Sequence, residues 1–227
     1  YFDNYPKVAE LRHSADSVWL EPLRRQIRSL CERAVTLGMK PVFHFYEPQF
    51  PLVFEREYPE LVGIWKRTTQ EGTVDVHTKF DPDNPDTWEL IRTKYFELAR
   101  DFPEVALFII TTGDIAGTYW GIPEADMPLV DRLANQLTYA QKGIDDAGSN
   151  GKVCFRLWWR NNPDRFFPDG ARMIGELTGL DNAIDLMNPI MKPYNYPPDV
   201  LPAVFEKMPK GTPIMFKSTP MDIHENT

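Results

Sequence analysis

The chain has 227 residues, 42% of them hydrophobic, and a formal net charge of −8. That length can bury a full-sized core, and the acidic balance excludes the broad basic face of a nucleic-acid binder while leaving room for a local cluster of Arg and Lys. No apolar run is long enough to span a bilayer, so no membrane partner is expected. The two cysteines, Cys31 and Cys154, sit in unlike places and read as buried thiols rather than a disulfide or metal pair. Tyr1 is not an initiator and no signal-peptide pattern is visible, so the chain reads as a piece of something longer.

Along the chain the hydrophobic period alternates between helix and strand, the signature of βα units and a parallel sheet. Ser17 precedes a helical face of Val18, Leu20, Leu23, Ile27, Leu30, Cys31 and Ala34, and Gly38 closes it as a C-terminal cap. Residues 41–48 predict a short strand ending at Pro48. The Pro- and Asp-rich stretch from Pro48 to Pro85 reads as an elaborated βα loop. Asn84-Pro85 opens a second helix with Trp88, Ile91, Tyr95 and Leu98 facing inward, which feeds a strand over 105–110. Leu129, Val130, Leu133, Leu137, Ala140 and Ile144 fall close to the 3.6 spacing of a long helix, and Val153 to Arg160 forms the next strand.

Further on, Asp169 caps a short helix containing Met173, Ile174 and Leu177, ended by Gly179. Ala183 to Ile190 reads as another strand, against which Asn188-Pro189 counts. Val200 to Lys207 predicts a last helix and Pro213 to Lys217 a last strand. Near-continuous apolar strands imply a sheet covered on both faces, hence a doubly wound sheet or a (β/α)8 barrel. The turn from Gly113 to Gly117 is not a dinucleotide fingerprint and no P-loop is present, which weighs against a nucleotide-binding sheet. The expected fold is therefore α/β, a TIM-type (β/α)8 barrel with four or five parallel βα units, residues 1–227 forming the central part of one barrel with strands lacking at both ends.

Two acidic groups sit at the mouths of two strands. Ile109 to Gly117 delivers Asp114, and Ile214 to Asp222 delivers Asp222. Loops after parallel strands carry the reacting groups of such scaffolds, so Asp114 is a candidate general acid, with an Asx-turn as the competing reading. Strand alternation puts Arg156, Trp158 and Arg160 on one face, with Phe155, Leu157 and Trp159 on the other. Arg156 and Lys217 are candidate anchors for an anionic group, the competing reading being structural salt bridges. Trp158 and Trp120 are candidate stacking platforms, with core packing as the alternative for Trp158. Glu47 is either a cleft residue or half of a loop salt bridge, and His44 reads as a hydrogen-bonded core histidine. The four histidines show no metal spacing, so neither metal nor other cofactor is expected.

Three segments, Ile109 to Gly117, Cys154 to Arg160 and Phe216 to Asp222, resemble in order three motifs of family 67 α-glucuronidases. Those motifs are a strand ending in a Lys-x-x-x-Glu-Gly turn, a Met-Trp-Arg-Ala-Phe-like strand and a Lys-Asn-Gly-Pro-Ile-Asp-Phe strand. Lys217-Ser218-Thr219-Pro220-Met221-Asp222-Ile223 keeps Lys, Pro, Asp and an apolar residue in identical spacing, and Arg156 falls on the arginine of the second motif. The resemblance implies a (β/α)8 barrel that inverts configuration without metal. In it Asp114 is the general acid, Asp222 one of the residues activating water, and Arg156 and Lys217 grip the uronic carboxylate. Asp114 stands where that family has Glu, and Ile110 where it has Lys. The expected activity is hydrolysis of a glycosidic bond in a polysaccharide-derived substrate, the partners being that carbohydrate and the remaining barrel strands. A catalytically degenerate carbohydrate-binding barrel and a TIM-type lyase acting on sugar acids are the alternatives.

Overall fold

The computed structural model describes residues 2–10, 18–51, 53–68, 74–111, 126–158 and 200–217. Asp114, Trp120 and Asp222 lie outside them, as do Ser17, the helix expected between Asp169 and Gly179 and the strand expected over 183–190. The described elements are α1 (Pro6–Ala9), α2 (Leu20–Thr36), β1 (Val42–Tyr46), α3 (Val53–Glu57), β2 (Val62–Thr68), β3 (Val74–Phe80), α4 (Pro85–Asp101), β4 (Leu107–Thr111), α5 (Leu129–Asp146), β5 (Lys152–Trp158), α6 (Val200–Lys207) and β6 (Ile214–Lys217).

Four strands form one parallel sheet in the order β1-β4-β5-β6. That is chain order with no reversal, since β2 and β3 pair only with each other as an antiparallel hairpin. α4 packs on α5 and α5 on α6, giving a helix layer that follows the strands in sequence. The fold is thus α/β with a four-stranded parallel sheet. The hairpin lies inside the stretch read as a βα loop. Its sequence signal was two runs rich in β-branched residues joined by five residues containing Gly72.

Local chemistry explains the helix boundaries. The Asn84 side chain accepts from the Asp86 amide at 3.0 Å, and Pro85 occupies the first turn where its missing N–H costs nothing. At the end of α2 the Met39 amide reaches the Ala34 carbonyl and the Gly38 amide that of Val35, both at 2.9 Å, with Gly38 at φ 75°. That is a Schellman cap, and its left-handed residue strongly favours glycine.

The core lies between the sheet and the helix layer. Trp88, Ile91, Tyr95 and Leu98 of α4 are buried, as are Leu133, Leu137, Ala140 and Ile144 of α5, and they pack with Phe108, Ile110, Val153 and Phe155 from the strands. Burying each large apolar side chain is worth about 1.5–3 kcal/mol, so these rows hold the helices to the sheet. Aromatic edges complete the β1 side, with Phe43 against Phe102 at 5.1 Å and Phe45 against Tyr95 at 5.9 Å between ring centroids. Buried Gln141 ties α5 to β5 by accepting from the Val153 amide at 2.9 Å and donating to Asp145 at 2.8 Å.

The face predicted for α2 departs from expectation. Cys31 is buried and Ile27 packs against the core, but Val18, Leu20, Leu23 and Leu30 are exposed. An amphipathic pattern marks a stripe that seeks cover; the supply of cover is a tertiary matter. What joins α2 to α4 is largely polar: Arg28 donates to the Asp101 carbonyl at 2.9 Å, and Arg24 pairs with the Asp101 carboxylate.

Candidate functional site at the C-terminal ends of the strands

Strand alternation assigns the two faces of the sheet. Phe43, Phe45, Phe108, Ile110, Val153 and Phe155 turn toward the helices and belong to the core or pack against it. The opposite phase carries His44, Ile109, Thr111, Cys154, Arg156 and Met215. The pairing aligns Tyr46 with Thr111, Thr111 with Arg156, and Arg156 with Met215, across all four strands near their C-terminal ends. One step further, Trp158 pairs in register with Lys217.

Three polar side chains meet on this second face. The Thr111 hydroxyl lies 2.7 Å from His44 Nε2, and Arg156 Nη1 lies 3.1 Å from His44 Nε2 and 3.3 Å from Thr111 Oγ1. A guanidinium only donates, so Nε2 accepts from Arg156 and the neutral ring carries its proton on Nδ1. The Thr111 hydroxyl closes the triangle, accepting from Arg156 while its own proton and that of Arg156 share the single Nε2 lone pair. Thr111 is buried, Arg156 half-buried and His44 exposed, so the cluster runs from the sheet outward. The hydrogen bonding expected of His44 is present, but its core position is not: among the described strands β1 stands at the edge of the sheet, and the face opposite Phe43 and Phe45 leaves the ring exposed.

Arg156 lies inside β5, and the partners described for it, His44 and Thr111, come from two other strands of the sheet. Sequence reasoning missed both of them as site residues. The signal was there in part, because alternation puts His44 out of phase with Phe43 and Phe45, but register cannot be read from a single strand.

Glu47, at the mouth of β1, makes the loop salt bridge. It is 2% exposed, and its Oε1 accepts from Lys94 Nζ at 2.5 Å and from the Tyr95 hydroxyl at 3.1 Å. Its Oε2 takes the Gln49 amide at 3.0 Å. Lys94 also donates to the Gln49 carbonyl at 3.0 Å and stands over the Phe45 and Phe50 rings. Two cations therefore flank the end of β1, Lys94 in the helix layer and Arg156 on the opposite face of the sheet.

Burial pushes the Cys154 thiol above its ordinary range, which leaves it an inert packing group on the Arg156 face. Among the described residues no group of three or more His, Cys, Asp or Glu side chains is arranged to hold a metal ion, and no helix is long and apolar enough to cross a membrane. No protein-family model matches the chain, and no curated protein matches it either.

Proposed function

We propose that this chain forms an arc of a (β/α)8 barrel carrying the acid–base site of a glycoside hydrolase, acting on a polysaccharide-derived substrate that bears a uronic acid. The observation that carries the reading is the placement of Arg156. It stands on the face of the sheet away from the helices, toward the C-terminal ends of sequentially ordered parallel strands, where barrel enzymes bind their substrates. A fixed guanidinium there suits a carboxylate, whose two oxygens match its planar fork. Lys217, on the strand next to that of Arg156, adds a second cation to the same end of the sheet.

In this reading Asp114, which follows β4 in the sequence, protonates the leaving oxygen, and Asp222, which follows β6, directs water at the anomeric carbon. Inversion requires the two carboxyl groups about 6.5–9.5 Å apart, to leave room for that water. Glu47 has no part in the chemistry, since its oxygens are engaged by Lys94, Tyr95 and the Gln49 amide. The test is turnover of 4-nitrophenyl α-D-glucuronide and of uronic-acid-bearing oligosaccharides by the full-length protein and its Asp114→Asn variant. A general acid contributes about 10²–10⁴-fold, so the oligosaccharide rate of the variant falls by that factor. Unchanged turnover by Asp114→Asn refutes the assignment.

A further inference from the structure

We infer that His44 is a positioning residue for Arg156, holding its guanidinium for a carboxylate-bearing sugar; the inference rests on the reading of Arg156 as the grip on a uronic acid. Nη1 of a guanidinium has two N–H groups, and two acceptors from two other strands meet it: His44 Nε2 at 3.1 Å and Thr111 Oγ1 at 3.3 Å. An arginine side chain has many rotamers, and its fork is selective for a planar carboxylate only when the plane of the fork is set in advance. His44 and Thr111 lie side by side, so they hold Nη1 from one direction and limit the swing of the fork. Thr111 is itself rigid, being buried in β4 and bonded to His44 at 2.7 Å, so the three side chains brace β1, β4 and β5 against one another.

His44 lies on the face of β1 opposite the one that packs on the main core. It is exposed there, away from the helices, while Phe43 and Phe45 on the other face pack on the core. Its described bonds are to the hydroxyl and the guanidinium. The imidazole is also the correct choice of acceptor. A carboxylate in its place would compete with an anionic ligand for Arg156, whereas a neutral ring nitrogen accepts the bond without adding a counter-charge.

The experiment is calorimetric titration of the full-length protein with D-glucuronate, and with D-glucose as the neutral counterpart. His44→Leu removes the acceptor, and His44→Gln restores one, since the amide oxygen reaches about as far as Nε2. Loss of one charge-assisted contact that orders the fork is expected to weaken glucuronate about tenfold in His44→Leu, with glucose unchanged and His44→Gln within about threefold of the unaltered protein. Thr111→Val provides a second variant that removes the other acceptor, with a loss in the same direction and the same selectivity. Equal weakening of glucuronate and glucose overturns the inference, because a residue acting through Arg156 changes only the charged ligand. So does failure of His44→Gln to rescue. Undiminished glucuronate binding in both His44→Leu and Thr111→Val, with Arg156→Leu weakened, overturns the positioning role while leaving the carboxylate grip standing. If Arg156→Leu itself binds glucuronate as tightly as the unaltered protein, or if that protein does not bind it, the underlying reading falls as well.

Discussion

Gly143 sits at a close approach of α4 and α5, and replacing it by alanine tests the packing of the helix layer directly. A Cβ at this position would overlap the Arg92 carbonyl oxygen and stand 2.8 Å from the Phe96 amide nitrogen and 3.2 Å from the Arg92 carbonyl carbon. All three atoms are backbone of the neighbouring helix, so no side chain can rotate away and the two helices must part. Two effects oppose each other. Alanine in a helix interior is favoured over glycine by about 1 kcal/mol, whereas overpacking a close-packed contact costs about 1–3 kcal/mol. Against immovable backbone the cost belongs at or beyond the top of that range, leaving Gly143→Ala net destabilised by about 2 kcal/mol. For a domain of this size 1 kcal/mol shifts the melting temperature by about 2–4 °C, so a fall of roughly 4–8 °C is expected by scanning calorimetry, matched by a lower urea midpoint. The comparison variant is Gly148→Ala, where φ is 69° and nothing lies within 4 Å of a new Cβ. It loses about 1–2 kcal/mol from the left-handed backbone alone. Substituting Val separates the two sites, because the larger side chain worsens the clash at 143 far more than the strain at 148. A rise in melting temperature for Gly143→Ala, by the amount helix propensity supplies, would refute the close approach of α4 and α5.

Lys94→Met leaves the Glu47 carboxylate 2% exposed without its cation, a change that costs about 3–5 kcal/mol for a buried pair, and the urea midpoint reads it; a loss below about 1 kcal/mol would show the pair to be dispensable. Burial, reinforced by Asp86 and Glu89, pushes the Tyr5 hydroxyl up to about 12 from its ordinary 10. The folded state therefore prefers the protonated phenol. That stabilisation is fully present below pH 10 and lost as pH rises through about 12, so alkaline titration should show a decline in stability across that window which Tyr5→Phe makes shallower. Burial also raises the thiols of Cys31 and Cys154, which should be silent to Ellman's reagent in native buffer and both react in urea; prompt native labelling of Cys154 would mean that its face of β5 is open.

Where local chemistry decides, the sequence was readable. Asn84, Pro85 and the spacing of Trp88, Ile91, Tyr95 and Leu98 define α4 because cap, first-turn proline and apolar face all agree, and α6 spans the residues expected of it, Val200 to Lys207. Where a partner decides, it was not. The apolar stripe of α2 is as clear as that of α4, yet Leu23 and Leu30 are exposed, since a hydrophobic period states a demand for cover without supplying it. The β2–β3 hairpin was hidden for a different reason: the Pro- and Asp-rich segments flanking it dominated the reading of that stretch. At the candidate site, Arg156 was legible as a cation in an improbable place. His44 and Thr111 were not, because only the parallel register of β1, β4 and β5 brings them to it.

The chain-order sheet also governs how this protein must fold in time. No two adjacent strands of the main sheet are joined by a hairpin; each pairing spans at least one helix and its flanking loops, so every strand must wait for a long loop to close before its hydrogen bonds can form. The β2–β3 hairpin and the capped helix α4 are local, free of that delay, and adjacent in the chain. They are the natural first structures, formed while the edges of β1 and β6 that pair with β4 and β5 are still open. The interval in which those edges stand unpaired is when the chain is most open to sticking to itself, which makes refolding yield, more than final stability, the quantity most sensitive to protein concentration.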